Sequence, residues 1–156
     1  MPLNAIVAQS GGPTAVINNS VRGVAETLMA DGTVNHVYGA RSGILGVLRN
    51  ELIDLSGQPE GQVALLGQTP SAGALGSCRY KLASKATGET YDLDYRRIVD
   101  VMRAQDVGYF FYIGGNDSMD TANRVGQIAR DQGLEVQAIG VNKTVDNDVG
   151  GSLQAD

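Results

Sequence analysis

Short apolar runs alternate along this chain with longer stretches in which apolar residues recur at helical spacing. The apolar runs predict strands at 3–9, 36–40, 51–55, 107–113 and 136–141. Spacing at i, i+3, i+4 and i+7 is typical of one helix face. Helices are expected at 14–30, 92–104 and 118–132, with a further short helix at 58–66. The alternation predicts an α/β fold with a Rossmann-like parallel sheet of about five strands flanked by helices.

Three segments do not follow this alternation. Residues 41–50 are interrupted by glycines and remain ambiguous between helix and loop. Residues 67–86 are rich in Gly, Ser and Thr and predict an irregular loop, which at that length is usually functional. Residues 150–156 follow the last predicted strand without a helix. We therefore expect 1–156 to be one truncated domain of a longer protein.

Composition narrows the classes of function. Glycine accounts for 21 of 156 residues, about 13%, against a usual share of about 7%. The net charge of −5 argues against a nucleic-acid partner. The single cysteine excludes an internal disulfide, and no apolar run approaches the ~20 residues of a membrane span. A cytoplasmic protein with no membrane partner is expected.

Two polar segments each follow a predicted strand. Segment 114–118 has the sequence GGNDS, and segment 143–148 has the sequence KTVDND. Ligands of open α/β sheets bind beyond the carboxyl ends of strands, so both segments are expected in one site. Glycines let the backbone approach a ligand, carboxylates can hold a metal or accept a proton, and a lysine can neutralise phosphate. This combination indicates phosphoryl transfer.

Each segment also has a simpler interpretation. Asp117 and Ser118 can cap the following helix, although capping does not explain the two glycines and the amide beside them. Residues 143–148 could form a solvated polar turn. If that segment is extended, Asp146 and Asp148 point the same way and could share a proton or a metal.

Two further elements could bind phosphate. Residues 10–12 (SGG) lie between a strand and a helix, where free N–H groups and the helix dipole favour anions, but an ordinary βα turn is the alternative. Arg79, in the long loop, could clamp a phosphate or be merely solvated. His36 is the only histidine, which leaves no support for a Ser-His-Asp arrangement.

Together these segments resemble the phosphofructokinase family. Residues 10–12, 76–79, 114–118 and 143–148 match, in order, its first phosphate loop, its Gly-Ser-x-Arg segment, Gly-Gly-Asp-Gly-Ser and Gly-Thr-Ile-Asp-Asn-Asp. The resemblance implies the N-terminal part of the phosphofructokinase fold. It also implies phosphoryl transfer to the 1-hydroxyl of fructose 6-phosphate, in glycolysis or gluconeogenesis.

Two departures from the common pattern imply which phosphate donor is used. ATP-using members of the family have glycine at the positions of Asp117 and Lys143, whereas pyrophosphate-using members resemble this chain at both. An aspartate at 117 would oppose the α-phosphate of a nucleotide by charge and bulk. Lys143 could stabilise the transferring phosphoryl group and the leaving phosphate. The alternatives are an ATP-dependent 6-phosphofructokinase, a related lipid or NAD kinase that the 144–148 loop disfavours, and a non-catalytic phosphate-binding module.

The resemblance implies a role for each matched residue. Asp146 would be the general base, acting with Lys143 and Asp117, while Thr144 and Asp148 would help to hold the sugar. Magnesium (Mg2+) would lie near Asn116 and Asp117, although Asn116 replaces the usual aspartate and should bind more weakly. The residues implied in diphosphate binding are Gly11, Gly12, Arg79, Gly115 and Ser118. The full-length enzyme is expected to be a homodimer or homotetramer. Its sugar-phosphate-binding domain is expected beyond residue 156, and the fragment alone is expected to have little or no activity.

Overall fold

The computed structural model of the chain describes residues 3–12, 14, 16–68, 74–83 and 92–143. The strands are β1 Leu3–Gln9, β2 Val34–Ala40, β3 Leu52–Asp54, β4 Val107–Gly114 and β5 Gln137–Asn142. The α-helices are α1 Ile17–Asp31, α2 Ile44–Arg49, α3 Leu93–Ala104 and α4 Asn116–Asp131, and a 3-10 helix covers Val63–Gly67. No helix in these ranges is long and apolar enough to cross a membrane.

The strands form a single sheet in the order β3-β2-β1-β4-β5. All neighbouring strands are parallel except β2 and β3, which pair antiparallel at one edge. This arrangement confirms the predicted α/β fold with a five-stranded sheet flanked by helices. Because helices cover both faces of a parallel sheet, its central strands are nearly continuous apolar runs, as β1 and β4 are.

Two apolar clusters lie on opposite faces of the sheet. Ile6 and Ala8 of β1 belong to the cluster that includes Phe110 and residues of α2, α3 and α4. Val7, which points the other way, belongs to the cluster beneath α1 that includes Ile17. The alternation along β1 therefore fixes α1 on one face of the sheet and the α3–α4 layer on the other. The turns that enter α1 and α4 both start at the carboxyl ends of the central strands.

Several element boundaries differ from the sequence predictions. α1 begins at Ile17 rather than Thr14. The ambiguous segment 41–50 contains α2, which starts directly after Gly43, a residue with a positive φ of 65°. The helix expected at 58–66 is a 3-10 helix at its end only. In the loop predicted at 67–86, residues 74–83 form neither helix nor strand, whereas 69–73 and 84–86 lie outside the described residues.

Candidate functional site

Three segments of the chain meet at the carboxyl edge of the sheet. β1 and β5 are the two neighbours of β4 and run parallel to it. Just beyond the strand ends, the Ser10 N–H donates to the Ile113 carbonyl at 2.8 Å, and the Lys143 N–H donates to the Gly114 carbonyl at 2.9 Å. Three features therefore lie side by side: the start of the 10–12 loop, the β4–α4 turn and Lys143. This agrees with the expectation that the loops beyond neighbouring strand ends form one site.

The segment that carries Arg79 is bonded to the first of these loops. The Gly11 N–H donates to the Cys78 carbonyl at 3.2 Å, and the Ser77 hydroxyl donates to the Gly11 carbonyl at 2.7 Å. As a result, Arg79 Nη2 lies 3.3 Å from the position that a Cβ on Gly12 would occupy. The 76–79 motif thus joins the same site through contacts between loops.

The side chain of Lys143 also reaches this loop. Its side chain is nearly buried, with 8% of its surface exposed, and its Nζ donates to the Gly12 carbonyl at 2.6 Å. Burial lowers the pKa of the Lys143 ammonium below its usual value, and the positive charge of Arg79 lowers it further. Two cationic side chains therefore flank the Gly11–Gly12 backbone closely enough to influence each other.

This arrangement favours an anionic ligand. Within the described part of the chain, neither Arg79 nor Lys143 forms a salt bridge with a carboxylate. Two neighbouring cations repel each other, and a bound polyanion relieves that repulsion while gaining attraction from both. Glycine is required beside them because Gly11 has φ 74° and a Cβ there would lie 3.4 Å from Lys143 Nζ. A phosphate or diphosphate fits this combination of charge and open backbone.

The β4–α4 turn presents the start of α4 to the same edge. Gly115 occupies the N-cap position in an extended conformation (φ −79°, ψ −164°), and the helix begins at Asn116. The simpler interpretation, in which Asp117 and Ser118 cap the helix, is wrong: no side chain caps it, and both residues lie inside its first turn. Asn116 and Asp117 are exposed there, and the positive end of the helix dipole favours both the Asp117 carboxylate and an anionic ligand.

Gly114 is required by packing within this turn. A Cβ on Gly114 would lie 2.1 Å from Ser118 Oγ and 2.6 Å from Ser118 Cβ. We expect Gly114→Ala to lower the free energy of unfolding by about 1–3 kcal/mol, the usual range for overpacking. Gly115→Ala is the matched control, because its Cβ would find its nearest neighbour, the Lys143 carbonyl, at 3.9 Å. Thermal unfolding of both variants checks this, and equal melting temperatures would contradict the packing argument.

Three predicted site residues follow Lys143 in the sequence, and one relevant buried pair was not predicted. Thr144, Asp146 and Asp148 lie outside the described residues. Sequence reasoning missed Gln9 and Asn18, two fully buried polar residues on either side of the 10–12 loop. The available signal was the position of Gln9 as a polar residue that closes an otherwise apolar run.

Comparison with known proteins identifies the family. Residues 4–154 match the family model of phosphofructokinase. The chain belongs to the phosphofructokinase family. This confirms the resemblance drawn from the four motifs and, with it, the phosphofructokinase fold.

Relatives of this phosphofructokinase-family chain include pyrophosphate–fructose 6-phosphate 1-phosphotransferases. The chain is 50% identical over 146 residues to the enzyme of that name from Xanthomonas campestris pv. campestris and 48% identical over 147 residues to that from Halomonas elongata. Each match covers 94% of this chain and 34% of the relative. The pyrophosphate-dependent phosphofructokinase of Marinobacter aquaeolei superposes with a TM-score of 0.82 at 47% identity, covering 93% of this chain and 34% of that one. The chain spans about a third of the length of the curated relatives it matches.

Proposed function

We propose that this chain is the phosphate-donor-binding part of a pyrophosphate-dependent fructose 6-phosphate 1-phosphotransferase. The observation that carries the proposal is the convergence of Arg79 and Lys143 on the Gly11–Gly12 backbone at the carboxyl edge of the sheet. The names of the relatives support it, and their greater length supports a sugar-phosphate-binding domain beyond residue 156. The fragment alone is then expected to have little or no activity.

The choice of pyrophosphate over ATP rests on two residues. Lys143 lies against Gly12 and brings a positive charge to a site that Arg79 also borders. Asp117 adds an exposed carboxylate in the first turn of α4, beyond the same strand edge. A short donor with two phosphates can use the cations without extending past Asp117, whereas a nucleotide must place further phosphate charge and bulk beyond them.

The reaction divides between the described cations and the segment that follows Lys143. Asp146 accepts the proton of the sugar 1-hydroxyl as that oxygen attacks one phosphorus of pyrophosphate. A new P–O bond to the sugar forms, the bridging P–O bond breaks, and inorganic phosphate leaves with the bridging oxygen. Lys143 and Arg79 stabilise the charge that develops on the transferred and leaving groups. Thr144 and Asp148 hold the sugar, and the products are fructose 1,6-bisphosphate and phosphate.

Backbone and buried groups complete the diphosphate site. Gly11, Gly12 and Gly115 carry no side chain, so a phosphate oxygen could approach the main chain closely at these positions. Ser118 is 5% exposed and packs beneath Gly114, so we propose that it acts by supporting the turn.

The start of α4 also suits a magnesium ion. Enzymes of this family generally use a divalent metal. Magnesium binds through one or two carboxylates together with substrate phosphates and keeps several waters. The oxygens of Asn116 and Asp117, beside a diphosphate site, fit that donor set, even though the described residues contain no cluster of three or more acidic, histidine or cysteine side chains. When bound there, Mg2+ would neutralise part of the charge of pyrophosphate.

The cellular setting follows from the same proposal. An acidic chain with net charge −5 suits small phosphorylated substrates rather than nucleic acid. We propose a cytoplasmic homodimer or homotetramer for the full-length enzyme.

A donor assay of the full-length protein tests the proposed function. We expect formation of fructose 1,6-bisphosphate from fructose 6-phosphate with pyrophosphate and Mg2+, and no comparable rate with ATP. Turnover with ATP and none with pyrophosphate would instead establish an ATP-dependent 6-phosphofructokinase. Binding of pyrophosphate without turnover by either donor would indicate a non-catalytic phosphate-binding module.

A further inference from the structure

Buried polar side chains are few in the described residues, and they cluster around one place. The four that are buried are Gln9, Asn18, Ser118 and Lys143. Ser118 and Lys143 belong to the diphosphate site described above. Gln9 and Asn18 are 0% exposed and have no role in the proposed chemistry. Burying an amide is costly unless it is hydrogen-bonded, so this second pair requires an explanation.

The pair joins the two ends of the first phosphate loop. Gln9 is the last residue of β1, and Asn18 is the second residue of α1. Gln9 Nε2 donates to Asn18 Oδ1 at 2.9 Å, and this bond links the two elements between which Gly11 and Gly12 lie in the sequence. The main chain at Gln9 is also tightly packed, because a Cβ on Gly43 would lie 2.3 Å from the Gln9 carbonyl oxygen. One end of the bond is therefore fixed to the sheet, and the other to α1.

Stability alone does not account for an amide at this position. By the alternation of β1, Gln9 shares its face with Val7, which packs with Ile17 and Val21 in the apolar cluster beneath α1. Within the described residues, Gln9 Oε1 and Thr14 Oγ1 are buried atoms with no hydrogen-bond partner. An apolar side chain would avoid that unpaired oxygen, so the amide is better explained by the bond that it makes than by core packing.

We propose that Gln9 and Asn18 are positioning residues that fix the Gly11–Gly12 backbone for pyrophosphate binding. The Gly12 carbonyl accepts from Lys143 Nζ, and Arg79 Nη2 lies 3.3 Å from the position that a Cβ on Gly12 would occupy. A loop that moves takes the Lys143 acceptor with it and disturbs the spacing of both cations. The inference rests on the proposed function, since pyrophosphate is the ligand being positioned.

The test is Gln9→Met in the full-length enzyme, which keeps the length of the side chain and removes the donor. We expect the KM for pyrophosphate to rise on the order of tenfold to a hundredfold, as for a displaced binding group. The KM for fructose 6-phosphate should stay within about twofold of wild type, because the sugar is not held by this loop. Asn18→Leu should likewise raise the KM for pyrophosphate and leave the KM for fructose 6-phosphate nearly unchanged. The double variant should be little worse than Asn18→Leu alone, because both changes break the same Gln9–Asn18 bond.

Asn4→Leu is the matched control. Asn4 lies at the other end of β1, where its Nδ2 donates to the Gln105 carbonyl at 2.7 Å and its Oδ1 accepts from the His36 N–H at 3.1 Å. Removing these two hydrogen bonds in Asn4→Leu should lower the melting temperature and leave the KM for pyrophosphate unchanged.

The outcomes separate this inference from the proposed function. If wild type uses pyrophosphate but Gln9→Met and Asn18→Leu leave its KM unchanged, the positioning role is overturned and the function stands. An equal rise in Asn4→Leu would reduce the effect to general destabilisation and would also overturn it. If wild type does not use pyrophosphate, the proposed function fails first, and this inference fails with it. Should Gln9→Met not fold, Asn18→Leu decides the question from the helix side.

Discussion

Replacement of Asp146 by Asn is expected to lower kcat by about 10²–10⁴-fold while leaving the KM for pyrophosphate nearly unchanged. An amide has almost the same shape as the carboxylate but cannot accept the proton of the sugar 1-hydroxyl. The donor is bound by the cations and loops of residues 10–143, which the change does not touch. Steady-state kinetics of the full-length enzyme, with each substrate varied in turn, measure both quantities.

Asp148→Asn provides the control for that variant. It makes the same chemical change two residues further along the chain, at a position proposed to hold the sugar. We expect its main effect on the KM for fructose 6-phosphate rather than on kcat. If Asp146→Asn retains more than about a tenth of wild-type kcat, the general base lies elsewhere. If the two variants exchange phenotypes, the roles of the two aspartates are reversed.

The fold was largely predictable because the sheet is buried on both faces. β1 and β4 lie between helices, so their apolar runs are continuous and mark them in the sequence. α2 was not predictable from periodicity. It has only six residues, starts after Gly43 and ends before Asn50, and both flanking residues have positive φ. Such a short helix is stabilised mainly by tertiary packing, here through the buried Ile44 and Val47, and local sequence does not report that packing.

The candidate site was predictable where strand order alone places residues. Once β1, β4 and β5 are parallel neighbours, their carboxyl ends must meet, and so must the loops that follow them. The contribution of Arg79 could not be predicted in this way. It depends on the bond from Ser77 to Gly11, which joins residues 66 apart in the sequence within an irregular loop. The contact of Lys143 Nζ with the Gly12 carbonyl, between residues 131 apart, likewise depends on side-chain packing.

The double change Asp117→Gly with Lys143→Gly is expected to abolish use of pyrophosphate, with kcat/KM for pyrophosphate falling by at least about 10²–10³-fold. That is the usual cost of removing one group that stabilises transition-state charge. Without Lys143, the Gly12 carbonyl loses its donor, and of the two described cations beside the loop Arg79 remains. Rates with pyrophosphate and with ATP, measured for the double variant and both single variants, check this.

Lys81→Gly is the control for the loss of one positive charge. Lys81 is exposed and lies two residues beyond Arg79, so its removal changes the net charge equally without touching the Gly11–Gly12 backbone. If Lys81→Gly weakens pyrophosphate use as much as Lys143→Gly does, the effect is one of long-range charge and not of the buried contact. Unchanged kinetics in the double variant would contradict the donor assignment itself. If Lys143→Gly alone lowers kcat/KM for pyrophosphate and Asp117→Gly stays close to wild type, catalysis is assigned to Lys143. The role of Asp117 is then limited to opposing the binding of nucleotides.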